Sequence, residues 1–154
     1  MKVLITAATS MELASLQEQL TDNSKLSIQY SVTGVGAIST VYHLMELLKK
    51  EKFELMIQVG IAGSFDHGLS LGTAVNIEKE VLAEMGVQEN NEYRDIFSLN
   101  LADRNERPFS DGVLFNPYQH LLSKTGLINT TGVTNNTIST DEMIIDRYKN
   151  KYMA

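Results

Sequence analysis

The sequence predicts an α/β protein built on a parallel sheet. Three observations carry that expectation: strand-like and helix-like segments alternate from Lys2 to Gly60, a T-x-x-E capping pattern opens the first helix, and a long amphipathic stretch makes the second. Lys2 to Ala8 is apolar and β-rich. Thr9-Ser10-Met11-Glu12 then starts a helix to about Leu20, with Met11, Leu13, Leu16 and Leu20 roughly on one face, and Thr21-Asp22-Asn23-Ser24 reads as a polar stop. Leu26, Ile28, Tyr30 and Val32 alternate with polar residues as in a second strand, which ends at Gly34-Val35-Gly36. From Ala37 to Lys50, Ile38, Val41, Met45 and Leu48 recur at helical spacing, and Lys49 and Lys50 suit the negative end of the helix dipole. Leu55 to Val59 is a third strand ending in Gly60, and the order implies parallel pairing through right-handed crossovers.

Further along, Gly60 to Gly72 is a glycine-punctuated loop, and Thr73, Val75 and Ile77 begin a fourth strand that continues toward Val81 and Leu82. Gln88 to Pro108 is dense in Asn, Glu, Asp and Arg but carries Tyr93, Ile96, Phe97, Leu99 and Leu101, so it predicts a long surface excursion rather than a linker. A short helix is expected from Asn116-Pro117 to Lys124, a strand from Leu127 to Thr134, and a final helix opening at Thr140-Asp141-Glu142.

The 154 residues suggest one domain, residues 1–154, since single domains run to about 100–200 residues. With 43% apolar and 21% charged residues, a packed core is available. Thirteen basic against nineteen acidic residues leave a net charge of −6, which argues against a general nucleic-acid binder. The absence of cysteine excludes disulfides, thiolate zinc sites and cysteine nucleophiles. No segment reads as a signal peptide or membrane span, so the chain is expected to be cytoplasmic, without nucleic-acid or membrane partners. His43, His67 and His120 are scattered and form no ligand pair, so no metal is expected.

The candidate sites each have a plain alternative. Gly34-Val35-Gly36 could meet an anion with backbone N–H groups, or be a tight strand-to-helix turn; Ser39 replaces the third glycine of a dinucleotide fingerprint. Gly60-Ile61-Ala62-Gly63-Ser64 lies at the carboxyl end of the third strand, where open α/β sheets bind ligands, or is an ordinary turn. Glu12 is either a capping-box acceptor or a carboxylate at the mouth of the sheet. The mixed-charge run from Arg94 to Arg107 is a solvated face, or supplies an arginine to a substrate carboxylate. Met11, Met45 and Met56 read as packing residues.

Taken together, Met1 to Ile5 with Glu12, then Thr33-Gly34-Val35-Gly36, then Val59-Gly60-Ile61-Ala62-Gly63 resemble the N-terminal part of the nucleoside phosphorylase superfamily. The nearest branch is that of the nucleosidases, which act on methylthioadenosine, S-adenosylhomocysteine or futalosine. Phe97-Ser98-Leu99, Pro108-Phe109 and Asp111 to Pro117 resemble the futalosine hydrolases more than the other group. The resemblance implies a three-layer fold, a mostly parallel mixed sheet flanked by helices, with its C-terminal part missing. It also implies hydrolysis of the bond between hypoxanthine and ribose in menaquinone biosynthesis, with no cofactor and commonly as a homodimer. Glu12 would take the water-positioning and base role, Ala62 and Gly63 would line the purine and ribose site, and Thr137-Ile138-Ser139 would hold the base. A methylthioadenosine/S-adenosylhomocysteine nucleosidase is the alternative substrate reading, and a catalytically incomplete purine-binding fragment the non-enzymatic one.

Phosphorylase relatives bind phosphate with an arginine near the first loop, whereas Thr6 to Leu16 holds neither Arg nor Lys. A carboxylate at Glu12 would repel phosphate and suits water. The resemblance further implies a ribose-gripping Met-Glu-Gly or Met-Glu-Ala strand and a purine-protonating Asp after the final helix. The sequence reaches Ala154 before either, so a shortened form of a longer enzyme is expected, prone to association through uncovered apolar surface.

Overall fold

The computed structural model describes residues 1–20, 25–90 and 92–152. The polar stop expected at residues 21–24 lies outside them. The chain forms two compact units, Met1–Gly63 and Ser64–Ala154.

The first unit contains β1 (Lys2–Ala7), α1 (Ser10–Gln19), β2 (Ser27–Val32), α2 (Ala37–Lys50) and β3 (Leu55–Gln58). Its sheet has the order β2-β1-β3, and both pairings are parallel, with Ile5 opposite Tyr30 on one side and Ile57 on the other. The α/β expectation and its first five elements are therefore met. Alternation along β1 sends Val3, Ile5 and Ala7 to one face, where they pack with Leu13 of α1 and with Leu16, Leu26, Ile28, Tyr30, Leu55 and Val59. Leu4 and Thr6, on the opposite face, are also buried.

The methionines depart from expectation. Met11, Met45 and Met56 are 83%, 56% and 45% exposed, so they are not core residues here. The periodic face of α2 behaves the same way: Ile38, Val41, Met45 and Leu48 are exposed, and no residue of the helix is fully buried. Helical spacing identifies an apolar stripe without specifying what covers it. On α1, Leu13 turns inward and Met11 turns away, two residues apart and so on different sides of the helix.

The second unit contains β4 (Val75–Leu82), β5 (Gly86–Glu89), β6 (Glu92–Asp95), β7 (Leu114–Phe115), α3 (Gln119–Thr125), β8 (Ile128–Thr134) and α4 (Glu142–Tyr152). β4 is central to a mixed sheet, antiparallel to β7 and parallel to β8. Asn76 of β4 is buried, and its amide nitrogen lies within 3.1 Å of Leu122 O, 2.8 Å of Thr125 Oγ1 and 2.9 Å of Asn129 Oδ1. That polar knot ties the end of α3 to both strands.

The expected excursion from Gln88 to Pro108 opens with structure instead. β5 and β6 form an antiparallel hairpin, whose connection begins at Asn90 with φ 50°, a conformation asparagine tolerates in short hairpins. The hairpin is fastened to α4: Arg147 and Lys151 lie 4.9 and 5.0 Å from the Tyr93 ring centre, and Lys151 Nζ is 2.9 Å from Asp95. Among the described residues, no helix is long and apolar enough to cross a membrane.

Candidate active site

At the carboxyl end of the first sheet, the capping box forms as its spacing predicts. Thr9 takes an extended conformation, its hydroxyl accepts from Glu12 N at 3.4 Å, and Glu12 Oε2 accepts from Thr9 N at 2.9 Å. The same oxygen accepts from Thr9 Oγ1 at 2.8 Å. The other oxygen, Glu12 Oε1, accepts from Ile61 N at 3.1 Å. Glu12 thus caps α1, the first of the alternatives the sequence leaves open, and also bridges to the loop that follows β3. The Thr9 hydroxyl, then the Ile61 N–H, hold the Glu12 carboxyl below its ordinary range against a smaller opposing effect of burial. The group is therefore a carboxylate near neutral pH, held by three hydrogen-bond donors.

Gly60 makes the bridge possible. A Cβ at that position would stand 3.0 Å from Glu12 Oε1, tighter than ordinary contact. The sequence marks Gly60 and Ile61 as part of a candidate loop and Thr9 as a cap, but not the contacts that tie the loop to Glu12. The T-x-x-E pattern marks Thr9 directly; the demand on Gly60 comes from a carboxylate 48 positions away and has no local signature.

Ala62 and Gly63 directly follow Ile61 and are exposed, and no atom lies within 4 Å of a Cβ built on Gly63. This end of the loop is open around Gly63. Thr137, Ile138 and Ser139 belong to the second unit, in the segment between β8 and α4. Ile138 is 96% exposed, and Ser139 Oγ accepts from Asp141 N at 3.0 Å.

The Gly34-Val35-Gly36 turn is occupied by its own neighbours. Ser39 Oγ donates to Thr33 O at 3.0 Å, and a Cβ on Gly34 would overlap the Ser39 side chain. Gly36 precedes α2 with φ 90°, so glycine is required by backbone conformation. In the mixed-charge run, Arg104 Nε is 3.0 Å from Asp111 Oδ1 and its guanidinium lies 5.4 Å from the Phe97 ring. Its charge is thereby already matched within the loop. Among the described residues, no three His, Asp or Glu side chains gather where they could hold a metal ion.

No protein-family profile matches the chain. Over 60 residues it is 35% identical to futalosine hydrolase of Thermus thermophilus, an alignment covering 39% of this chain and 27% of that relative. The chain thus matches only about a quarter of the curated relative's length. Among solved structures, the 5'-methylthioadenosine/S-adenosyl homocysteine nucleosidase of Campylobacter jejuni superposes with a TM-score of 0.71 at 15% identity, covering 100% of this chain and 73% of that one. A futalosine hydrolase mutant of Helicobacter pylori gives 0.72 at 11% identity, covering 99% and 77%. With its parallel first sheet, mixed second sheet and flanking helices, the chain has the fold of the nucleoside phosphorylase/nucleosidase superfamily.

Proposed function

We propose that residues 1–154 belong to one nucleoside phosphorylase-like domain that hydrolyses purine nucleosides, with futalosine as substrate. The observation that carries the reading is Glu12: an ionised carboxylate, held by Thr9 and by Ile61 N–H, beside the open Ala62–Gly63 end of the loop. In the proposed reaction Glu12 orients a water and takes its proton as the water oxygen bonds to the ribose C1′. The bond from C1′ to the purine nitrogen breaks, hypoxanthine leaves after gaining a proton from solvent, and Glu12 returns its proton to solvent. Ribose becomes cation-like along this path, so a fixed negative charge nearby lowers the barrier. Ala62 and Gly63 line the purine and ribose, and Thr137, Ile138 and Ser139 hold the base. The lack of Arg and Lys between Thr6 and Leu16 supports water over phosphate as the nucleophile.

The identity to futalosine hydrolase supports futalosine, and hence menaquinone biosynthesis in the cytoplasm. A homodimer is part of the same reading, supported by the exposed apolar stripe of Ile38, Val41, Tyr42, Met45 and Leu48 along α2.

The test is to incubate the purified 154-residue chain with futalosine and follow hypoxanthine release, with Glu12→Gln alongside. Release that falls by at least about 100-fold in Glu12→Gln is the expected result. Release of adenine from methylthioadenosine with no action on futalosine would replace the substrate. No release from either nucleoside, together with retained purine binding, would leave a purine-binding fragment.

A further inference from the structure

The parallel ladder between β4 and β8 ends with Leu82 opposite Thr134, and Ala83 N donates to Thr134 O at 3.1 Å. Past that point, two glutamates take over from backbone pairing. Thr134 Oγ1 donates to Glu80 Oε1 at 2.7 Å, and Asn136 N donates to Glu84 Oε2 at 2.8 Å. Glu80 lies against Gly132, where a Cβ would overlap its carboxylate, so the side chain is laid along β8. The next three residues are Thr137, Ile138 and Ser139. At their far end, Ser139 Oγ accepts from Asp141 N, and Asp141 Oδ1 accepts from Met143 N at 2.9 Å in the first turn of α4. Thr137 and Ile138 are therefore exposed on a short span that is anchored on both sides.

We propose that Glu84 is a positioning residue for base recognition: through the Asn136 N–H it sets the path of Thr137–Ser139, with Glu80 supporting the same segment through Thr134. The inference rests on the reading that this segment holds the purine. A purine presents its polar atoms along one flat edge, and a segment that meets them must be fixed to within a fraction of an ångström. A carboxylate acceptor makes a stronger bond to an N–H than a neutral oxygen does, so it suits a fixed point outside the sheet ladder.

The experiment is titration of the 154-residue chain with hypoxanthine by calorimetry, for the parent, Glu84→Ala and Glu84→Gln, with amide exchange at Asn136 and thermal unfolding on each. Glu84→Ala is expected to weaken hypoxanthine binding roughly tenfold and to speed exchange at Asn136, with Tm moving by under about 2 °C. Glu84→Gln keeps an acceptor oxygen within reach and is expected to restore most of the affinity. Parent-like affinity in Glu84→Ala, or unchanged exchange at Asn136, overturns this inference alone. A parent chain that does not bind hypoxanthine overturns the base-holding reading, and this inference with it.

Discussion

Glu12 and Glu80 are the same residue type on two sheets of one chain, and their surroundings push them in opposite directions. Glu12, in the first unit, accepts from Thr9 N, Thr9 Oγ1 and Ile61 N, and its carboxyl is held below the ordinary range. Glu80, in the second, is half-buried, is hydrogen-bonded by Thr134 Oγ1, and is pushed up by burial, which that hydrogen bond only partly offsets. The difference lies first in burial, which is far greater at Glu80, and then in the number of donors that meet each charge. The contrast extends to how each unit is held together: the first buries apolar side chains between its sheet and α1, while the second adds to its buried Val81, Ala83 and Tyr148 a knot of buried and half-buried polar groups.

The largest stability effect is expected where the first unit is most apolar. Leu13 is 2% exposed and packs against Val3, Ile5 and Ala7, so Leu13→Ala should cost about 3 kcal/mol in chemical denaturation, from lost burial and the cavity left behind. The matching change in the second unit is Asn76→Ala. It leaves Leu122 O, Thr125 Oγ1 and Asn129 Oδ1 without their shared donor, a loss of about 2 kcal/mol by the same measurement. A cost for Asn76→Ala below that of an exposed-surface change would erase the contrast between apolar packing and the polar knot.

How much of this was legible in the sequence depends on the range of the interaction that fixes each feature. The capping box is a three-residue relation, and it announced both the start of α1 and the place of Glu12 in its cap. The parallel sheet followed from alternation of strands and helices, and α2 starts and ends where its spacing and terminal lysines placed it. By contrast, Gly60 is required by Glu12, and Glu84 meets Asn136 from 52 positions away; neither relation leaves a local pattern. The β5–β6 hairpin was hidden because four-residue strands carrying Glu, Arg, Asp and Gln lack an apolar alternation strong enough to stand out. The exposed methionines fail for a related reason, since periodicity reports an apolar face and not its cover.

Thr9→Val sharpens the comparison from the side of Glu12. It removes the hydroxyl that accepts from Glu12 N and donates to Oε2, and should cost about 1 kcal/mol of stability at neutral pH. Because the Thr9 hydroxyl is the main cause of the lowered Glu12 pKa, the variant's pKa rises. The parent's advantage from this ionisation is complete above the unfolded carboxylate value and is lost as pH falls through the lower folded value. The acid limb of nucleoside hydrolysis, which needs ionised Glu12 in the proposed mechanism, should move to higher pH in the variant. An acid limb that stays in place would detach Glu12 from the base role while leaving the cap intact.

The smallest effect has the opposite sign and comes from Glu80. Its folded pKa is raised, so the folded chain binds more protons than the unfolded one between the two values, and stability falls as pH rises through that window. Above it, Glu80 is ionised in both states and the folded chain carries a partly desolvated charge. Glu80→Gln removes that charge and keeps an oxygen to accept from Thr134 Oγ1. The variant should therefore be more stable than the parent at pH 8, by roughly 0.5 kcal/mol after discounting for the solvent that still reaches the group. Its advantage should fade as pH falls toward 4, where the parent's carboxyl is neutral as well. Paired denaturation curves at the two pH values read this difference directly. A variant less stable at pH 8 would mean that the charge on Glu80 is needed by β8, and the two carboxylates would then differ in strength of support rather than in kind.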